Sequence, residues 1–266
     1  MLFRRSRPLP RRDLNRQTFI LAPHPDDEVL GCGGAIARMR RLGTPVRIVF
    51  LTDGADSHAQ FMTRSRLTSI RRREAREAAV VLGVPPESLT FLDFPDGSLS
   101  DHERSVVARV TELVRRHEPE QVFLPSRLEP TRDHRAAHRA ILLALEDSSP
   151  SIRVYEYPIW AWLHWPWTSL PIEPLTDAVK RTLLTAFGGR VLRDLRWRIP
   201  IQDVLDTKRA ALECHQSQML RPDGNDDWRT LPDIAGGSFL RCFFQESEFF
   251  CRRRRGFRLE GAPSDC

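Results

Sequence analysis

TFILAPHPDDEVLGCGG, residues 18–34, passes from an apolar run through a charged loop into a glycine-rich segment. Residues 18–22 read as a short buried strand, and GGAIARMRRLG (33–43) reads as a helix closing on Gly43. The same alternation continues outward. PVRIVFLTDG (45–54) is a β-branched strand, and SRLTSIRRREAREAAVVLGV (65–84) a long helix. LTFLDF (89–94) and QVFLP (121–125) are strands on either side of an amphipathic helix over 102–118, with Asp101 as its cap. A helix over 134–147, capped by Asp133, and a strand over 152–158 follow. Strands separated by helices of this length predict βαβ units, hence an α/β fold with a mostly parallel sheet. Sites in such sheets lie beyond the carboxyl ends of the strands, which directs attention to loops 23–32, 53–64, 95–101 and 125–134.

Two of those loops carry metal chemistry. The first places His24, Asp26, Asp27 and Glu28 within five residues. His and carboxylate together suit Zn²⁺ or a similar divalent ion. Adjacent aspartates cannot point the same way, so one can bind metal while the other faces the attacking water as a general base. An acidic first helical turn would explain the carboxylates through the helix dipole, but neither His24 nor Pro25. In the fourth loop, Asp133 and His134 stand where strand gives way to helix, with His138 one turn on. His, Asp and His make three protein ligands and leave a fourth position for water, the pattern of a catalytic zinc. The glycines at 31, 33 and 34 fail as a dinucleotide loop, because Ile36 stands where the third glycine of GxGxxG belongs. They read as room for close helix packing.

Composition narrows the class. The 266 residues are 41% hydrophobic and 29% charged, which excludes a mainly disordered or collagen-like chain. No apolar run approaches the ~18 residues of a membrane span. The net charge of +6 is local: residues 1–16 carry +5, residues 251–266 carry +3, and the body between carries −2. A nucleic-acid binder shows its basic patch on the folded body, so none is expected here. The expected organisation is a basic tail over 1–16, one domain over 17–250 with 151–250 as its substrate-side elaboration, and a basic tail over 251–266. Five cysteines at irregular spacing predict free thiols, and with no apolar stretch behind the N-terminal arginines a cytoplasmic protein is expected.

With these motifs in order, the chain resembles the LmbE-like, or PIG-L, family of zinc-dependent N-deacetylases from about residue 18 to 250. PHPDDEVLGCGG looks like its first metal motif and RDHRAAHRA like its second. LTDGADS, RRREAREAAVVLGV and FLDFPDGSL look like blocks between them, and YEYPIWAW and KRAALECHQSQ like C-terminal blocks. The resemblance implies a Rossmann-like three-layer fold and one Zn²⁺ per chain, other divalent ions being alternatives. It implies His24, Asp27 and His134 as ligands, Asp26 as general base, and Arg71 and Asp96 as groups that hold the sugar. The implied reaction removes an N-acetyl group from a small-molecule amino sugar or glycoconjugate. The family commonly has a His three residues before the third ligand, where it steadies the developing oxyanion; here Thr131 stands there, followed by Arg132. His138, His215 and Arg132 are the candidates for that duty, and His215 is also a candidate for substrate contact. Trp160, Trp162, Trp165 and Trp167, with His164 among them, are either core beneath a lid or an aromatic wall for a sugar. A zinc amidase for a larger acyl or thiol conjugate, and a non-catalytic sugar- or nucleotide-binding module, are the alternative functions.

Overall fold

The computed structural model describes residues 5–146, 148–149, 151–163, 167–168, 189–222 and 225–253. Eight strands form one sheet: β1 (Arg7–Pro8), β2 (Thr18–Ala22), β3 (Val46–Thr52), β4 (Leu89–Phe94), β5 (Gln121–Pro125), β6 (Arg153–Tyr157), β7 (Trp197–Pro200) and β8 (Ser247–Arg253). Their spatial order is β1-β7-β8-β6-β5-β2-β3-β4. All neighbouring pairs are parallel except those of β8, which runs antiparallel to both β6 and β7.

The α-helices among the described residues are α1 (Arg11–Leu14), α2 (Asp27–Arg41), α3 (Arg64–Val81), α4 (Glu103–His117), α5 (Arg132–Glu146), α6 (Gly189–Asp194), α7 (Leu205–Glu213), α8 (Gln216–Met219) and α9 (Ser238–Arg241). They cover both faces of the sheet, and the strand periodicity of two divides the core accordingly. Ile20, Ala22, Ile48 and Phe50 pack with α2, α3 and α7. Phe19, Leu21, Val49 and Leu51 pack with α4 and α5 on the other face. Among the described residues no helix is long and apolar enough to cross a membrane.

From β2 the chain moves outward through β3 and β4, then returns to place β5 on the opposite flank of β2. The order reverses between β2 and β5, so their carboxyl ends bound a crevice that backbone alone cannot fill. Both metal motifs open from it.

α2 approaches the sheet unusually closely. A Cβ on Gly31 would lie 2.3 Å from the Tyr157 ring, and one on Gly34 would lie 2.4 Å from Ile201. The C-terminal region grips the same helix. Glu248 on β8 accepts hydrogen bonds from the amides of Gly34 and Ala35, each 2.8 Å. Lys208 on α7 donates to the Leu30 carbonyl at 2.8 Å and pairs with Glu248 at 2.7 Å.

The tail boundaries expected from charge differ from those observed. Within 1–16, Arg7 and Pro8 pair with Trp197 and Arg198, so this segment begins the sheet. Asp13 is fully buried, bonded to Tyr155 and Arg153, which anchors α1 to the interior strand β6 despite its arginines. At the other end β8 continues through Arg253, past the expected limit at 250. Residues 151–250 likewise do more than elaborate a substrate side: they supply β6, β7 and most of β8.

Candidate active site

β2 ends at Ala22 and the chain turns through Pro23–Asp26 into α2. Asp26 occupies the position before the helix with φ 125°, a left-handed conformation that costs an aspartate about 1–3 kcal/mol. That turn separates the neighbouring carboxylates. Asp27 Oδ2 lies 3.1 Å from His24 Nδ1 and 3.2 Å from His134 Nε2. Asp26 Oδ2 instead lies 3.1 Å from Arg71 Nη2.

His134, from the first turn of α5, completes a set whose ligand atoms all lie within 4.8 Å of one another: His24, Asp27 and His134. The two imidazole centroids are 5.3 Å apart. His134 is fully buried, and neither ring nitrogen has a hydrogen-bond partner of good geometry, although Glu129 Oε2 approaches Nδ1 to 3.1 Å. Two imidazoles and a carboxylate, with a buried unsatisfied nitrogen among them, fit a divalent cation. A second grouping shares His24: its Nε2 lies 3.0 Å from Asp96 and 3.6 Å from Asp133.

The charges follow from these contacts. Burial alone would raise Asp27, but His134 and His24 overcome it and hold the carboxyl well below the usual range. Burial disfavours charge on His134, yet Asp27 and Glu129 raise it to about 9. Burial likewise opposes charge on His24, and Asp96, Asp133 and Asp27 raise it well above its ordinary value. Asp26 goes the other way: burial raises it to about 6, with Arg71 pulling down and Asp27 pushing up. A buried carboxylate near 6 is matched to proton transfer close to neutral pH.

The remaining expected residues have distinct placements. Arg71 is buried on α3, where it donates to the carbonyls of Gly54 (2.8 Å) and Pro25 as well as pairing with Asp26. It therefore ties the loop of residues 23–26 to α3. Asp96 reaches the site through His24, and its second oxygen accepts from the Asp56 amide at 2.9 Å. His215 is fully buried and hydrogen-bonds Glu28 at 3.1 Å.

His138 is not brought to the ligand set: its Nε2 lies 3.2 Å from Glu156, beside Arg253. Arg132 is exposed and pairs with Asp101 at 2.8 Å. The Thr131 hydroxyl is buried with no hydrogen-bond partner among the described residues. Trp160 stacks on Phe239 at 5.1 Å, and Trp162 packs edge-on to Trp167 at 5.2 Å, so these three belong to the core cluster or its margin. His164 and Trp165 lie outside the described residues.

Sequence reading missed Glu129. Its carboxylate accepts the amides of Ile159, Trp160 and Ala161 while facing His134. Nothing local distinguishes it from a solvated acid; only its proximity to His134, five residues on, was available. It also missed the Glu74–Ser217 contact, 2.6 Å between side chains, which ties α3 to α8.

Known proteins resemble this chain in sequence and in fold. Residues 19–145 match the family model described as PIG-L: GlcNAc-PI de-N-acetylase. Diacetylchitobiose deacetylase of Thermococcus kodakarensis is 25% identical over 207 residues, covering 76% of this chain and 70% of the relative. Probable N-acetyl-alpha-D-glucosaminyl L-malate deacetylase 2 of Bacillus cereus is 28% identical over 140 residues, covering 50% of this chain and 62% of the relative. Among solved structures, the 4-carboxy-2-hydroxymuconate hydratase of Pseudomonas putida KT2440 superposes with a TM-score of 0.58 at 18% identity, covering 92% of this chain and 99% of its own. The fold thus carries more than one chemistry, and the motifs must decide. The segment that matches the PIG-L family model, residues 19–145, holds Asp26, Arg71 and all three candidate ligands.

Proposed function

We propose that this chain is a metal-dependent N-deacetylase, a hydrolase that releases acetate from an N-acetylated amino sugar or glycoconjugate. The observation that carries the reading is the division of labour at Asp26 and Asp27. One carboxylate joins two histidines within ligand distance, and its neighbour stands apart, buried, with its ionisation poised near neutrality. A purely structural metal site would not need the second. The two deacetylase relatives support the acetylated amino sugar as substrate class.

His24, Asp27 and His134 would hold one divalent ion, with Zn²⁺ favoured by the His/carboxylate donor set. When bound, such an ion polarises the amide carbonyl and lowers the pKa of water toward about 7. Asp26 accepts the proton of the attacking water as it adds to the amide carbon, and the resulting carboxylic acid returns it to the departing nitrogen. Arg71 keeps the Asp26 carboxylate aimed by holding both it and the Pro25 carbonyl. Acetate and a free amine result, with no acyl-enzyme. The four described cysteines are unpaired, which supports a cytoplasmic setting.

The test is acetate release from N-acetylglucosamine, diacetylchitobiose and an N-acetylglucosaminyl glycoside by zinc-reconstituted protein, with long-chain N-acyl analogues alongside. Turnover of at least one acetylated sugar, abolished by a chelator, is expected. Turnover confined to long-chain substrates would favour the amidase alternative, and none on any substrate would remove the hydrolase reading.

A further inference from the structure

We infer that His215, through Glu28, is a positioning residue that holds the backbone of Asp26 in its reactive conformation; this rests on Asp26 as the base. Asp26 adopts φ 125° and ψ −30°, a combination an aspartate keeps only when its surroundings impose it. Arg71 fixes the side chain. The amide is fixed separately: Asp26 N donates to Glu28 Oε2 at 2.8 Å. The other oxygen of that carboxylate, Oε1, accepts from His215 Nε2 at 3.1 Å. Glu28 and His215 are both fully buried, so neither contact is diluted by water.

A glutamate two residues along could leave such an amide by changing rotamer. Glu28 is kept on it by a ring that enters from a remote part of the chain. His215 has no other hydrogen bond through its side chain among the described residues: its Nδ1 is buried and unpartnered. Among the described residues the ring's hydrogen bonding therefore goes to Glu28 alone, and its charge also favours the ionised form of Asp26.

The element bearing it is itself anchored. His215 N bonds the Leu212 carbonyl at 3.0 Å. Ser217 gives its amide and hydroxyl to Glu74 on α3, at 2.8 and 2.6 Å, and the Trp228 indole donates to the Ser217 carbonyl at 3.0 Å. Residues 19–145 supply the base and ligands, and the clamp on the base comes from outside that matched segment. The chain thus couples completion of its C-terminal region to assembly of the catalytic turn.

The test uses the position of the donor atom. In the zinc-loaded full-length chain, Gln at 215 extends an amide nitrogen to the place of Nε2, whereas Asn reaches only the level of Nδ1. His215→Gln is expected to keep kcat within about threefold of wild type. His215→Asn is expected to lower kcat about 10- to 100-fold, the scale of a misaimed catalytic group, with KM and zinc content unchanged. Hydrogen exchange at the Asp26 amide gives a readout independent of activity: slow in wild type and His215→Gln, faster in His215→Asn. Equal kcat and equal exchange in the Gln and Asn variants would overturn the positioning role, as would an Asn variant that loses zinc together with activity. An Asp26→Asn control with full activity would instead dismiss Asp26 as the base, a failure distinct from one confined to His215.

Discussion

Asp26 and Asp27 are adjacent, both buried and chemically identical, yet their surroundings assign them opposite electrostatics. Asp27 sits between two imidazoles that overcome its burial and keep it ionised, while burial and the Asp27 charge outweigh Arg71, His215 and His24 at Asp26 and raise it to about 6. Substitution should separate them. Asp27→Ala should lose metal and activity together. Asp26→Asn preserves volume and removes the base, so metal content should persist while kcat falls about 10²–10⁴-fold, or about 3–5 kcal/mol of transition-state stabilisation. Elemental analysis beside steady-state kinetics decides it; loss of metal from Asp26→Asn with retention in Asp27→Ala would exchange the roles. By the same logic wild type should carry about one divalent ion per chain and His134→Ala much less, because His134 presents a buried, unpartnered nitrogen to the set. Equal metal in both proteins would strike His134 from the ligands.

α2 shows how an element can be fixed by what it lacks. Its glycines admit the Tyr157 ring and Ile201 at distances no Cβ tolerates, and Tyr157 in turn donates to the Leu21 carbonyl at 2.8 Å. The helix bearing Asp27 is thereby seated against the strand bearing His24's loop. Gly31→Ala and Gly34→Ala should each destabilise by about 1–3 kcal/mol through overpacking, seen as a lower urea midpoint at unchanged m-value. An unchanged midpoint would mean that the ring and Ile201 can move aside. These same glycines made the start of α2 hard to read: the sequence suggests a helix from residue 33, and it begins at Asp27, because packing outweighs their low propensity. The strands at 18–22, 89–94 and 121–125 were legible to the residue, since each is a short, largely apolar run between turn signals, buried in β2 and β5 and half-buried at the sheet edge in β4. The C-terminal strands were not. β7 and β8 carry Arg198, Glu248, Arg252 and Arg253, whose charged groups find their partners far away in sequence. The three candidate ligands and the neighbouring carboxylate proposed as base were legible as a cluster because metal chemistry restricts residue types. Arg71 was legible as important but not in its contacts, which depend on how α3 crosses the loop.

At the scale of the molecule, the basic ends are not one kind of segment. Arg253 pairs with Glu156 at 3.1 Å and lies 3.5 Å from His138, while Arg252 stacks over Trp197. Deleting 254–266 should therefore leave kcat near wild type, whereas deleting 252–266 should lower the thermal midpoint; comparable midpoints for the two truncations would show that the Arg253 pair contributes nothing. The cluster that Arg253 completes also links stability to pH. Burial of Glu156 on β6 opposes its ionisation, but the hydrogen bond and charge of His138, the Arg127 amide and Arg253 outweigh it and leave the carboxyl below its ordinary value near 4.5. A carboxyl depressed in the folded state releases its proton more readily there than in the unfolded chain. Its stabilising contribution is thus fully present above about pH 5, and is lost as the pH falls through the folded value. Glu156→Gln removes that titration. The stability difference between wild type and Glu156→Gln, from urea unfolding at pH 7 and at pH 3.5, should accordingly be largest at pH 7 and narrow at the lower pH. A difference that stays constant across this range would mean that the three partners stabilise Glu156 equally well with its proton on, and that the cluster holds β6, β8 and α5 together by packing and not by charge.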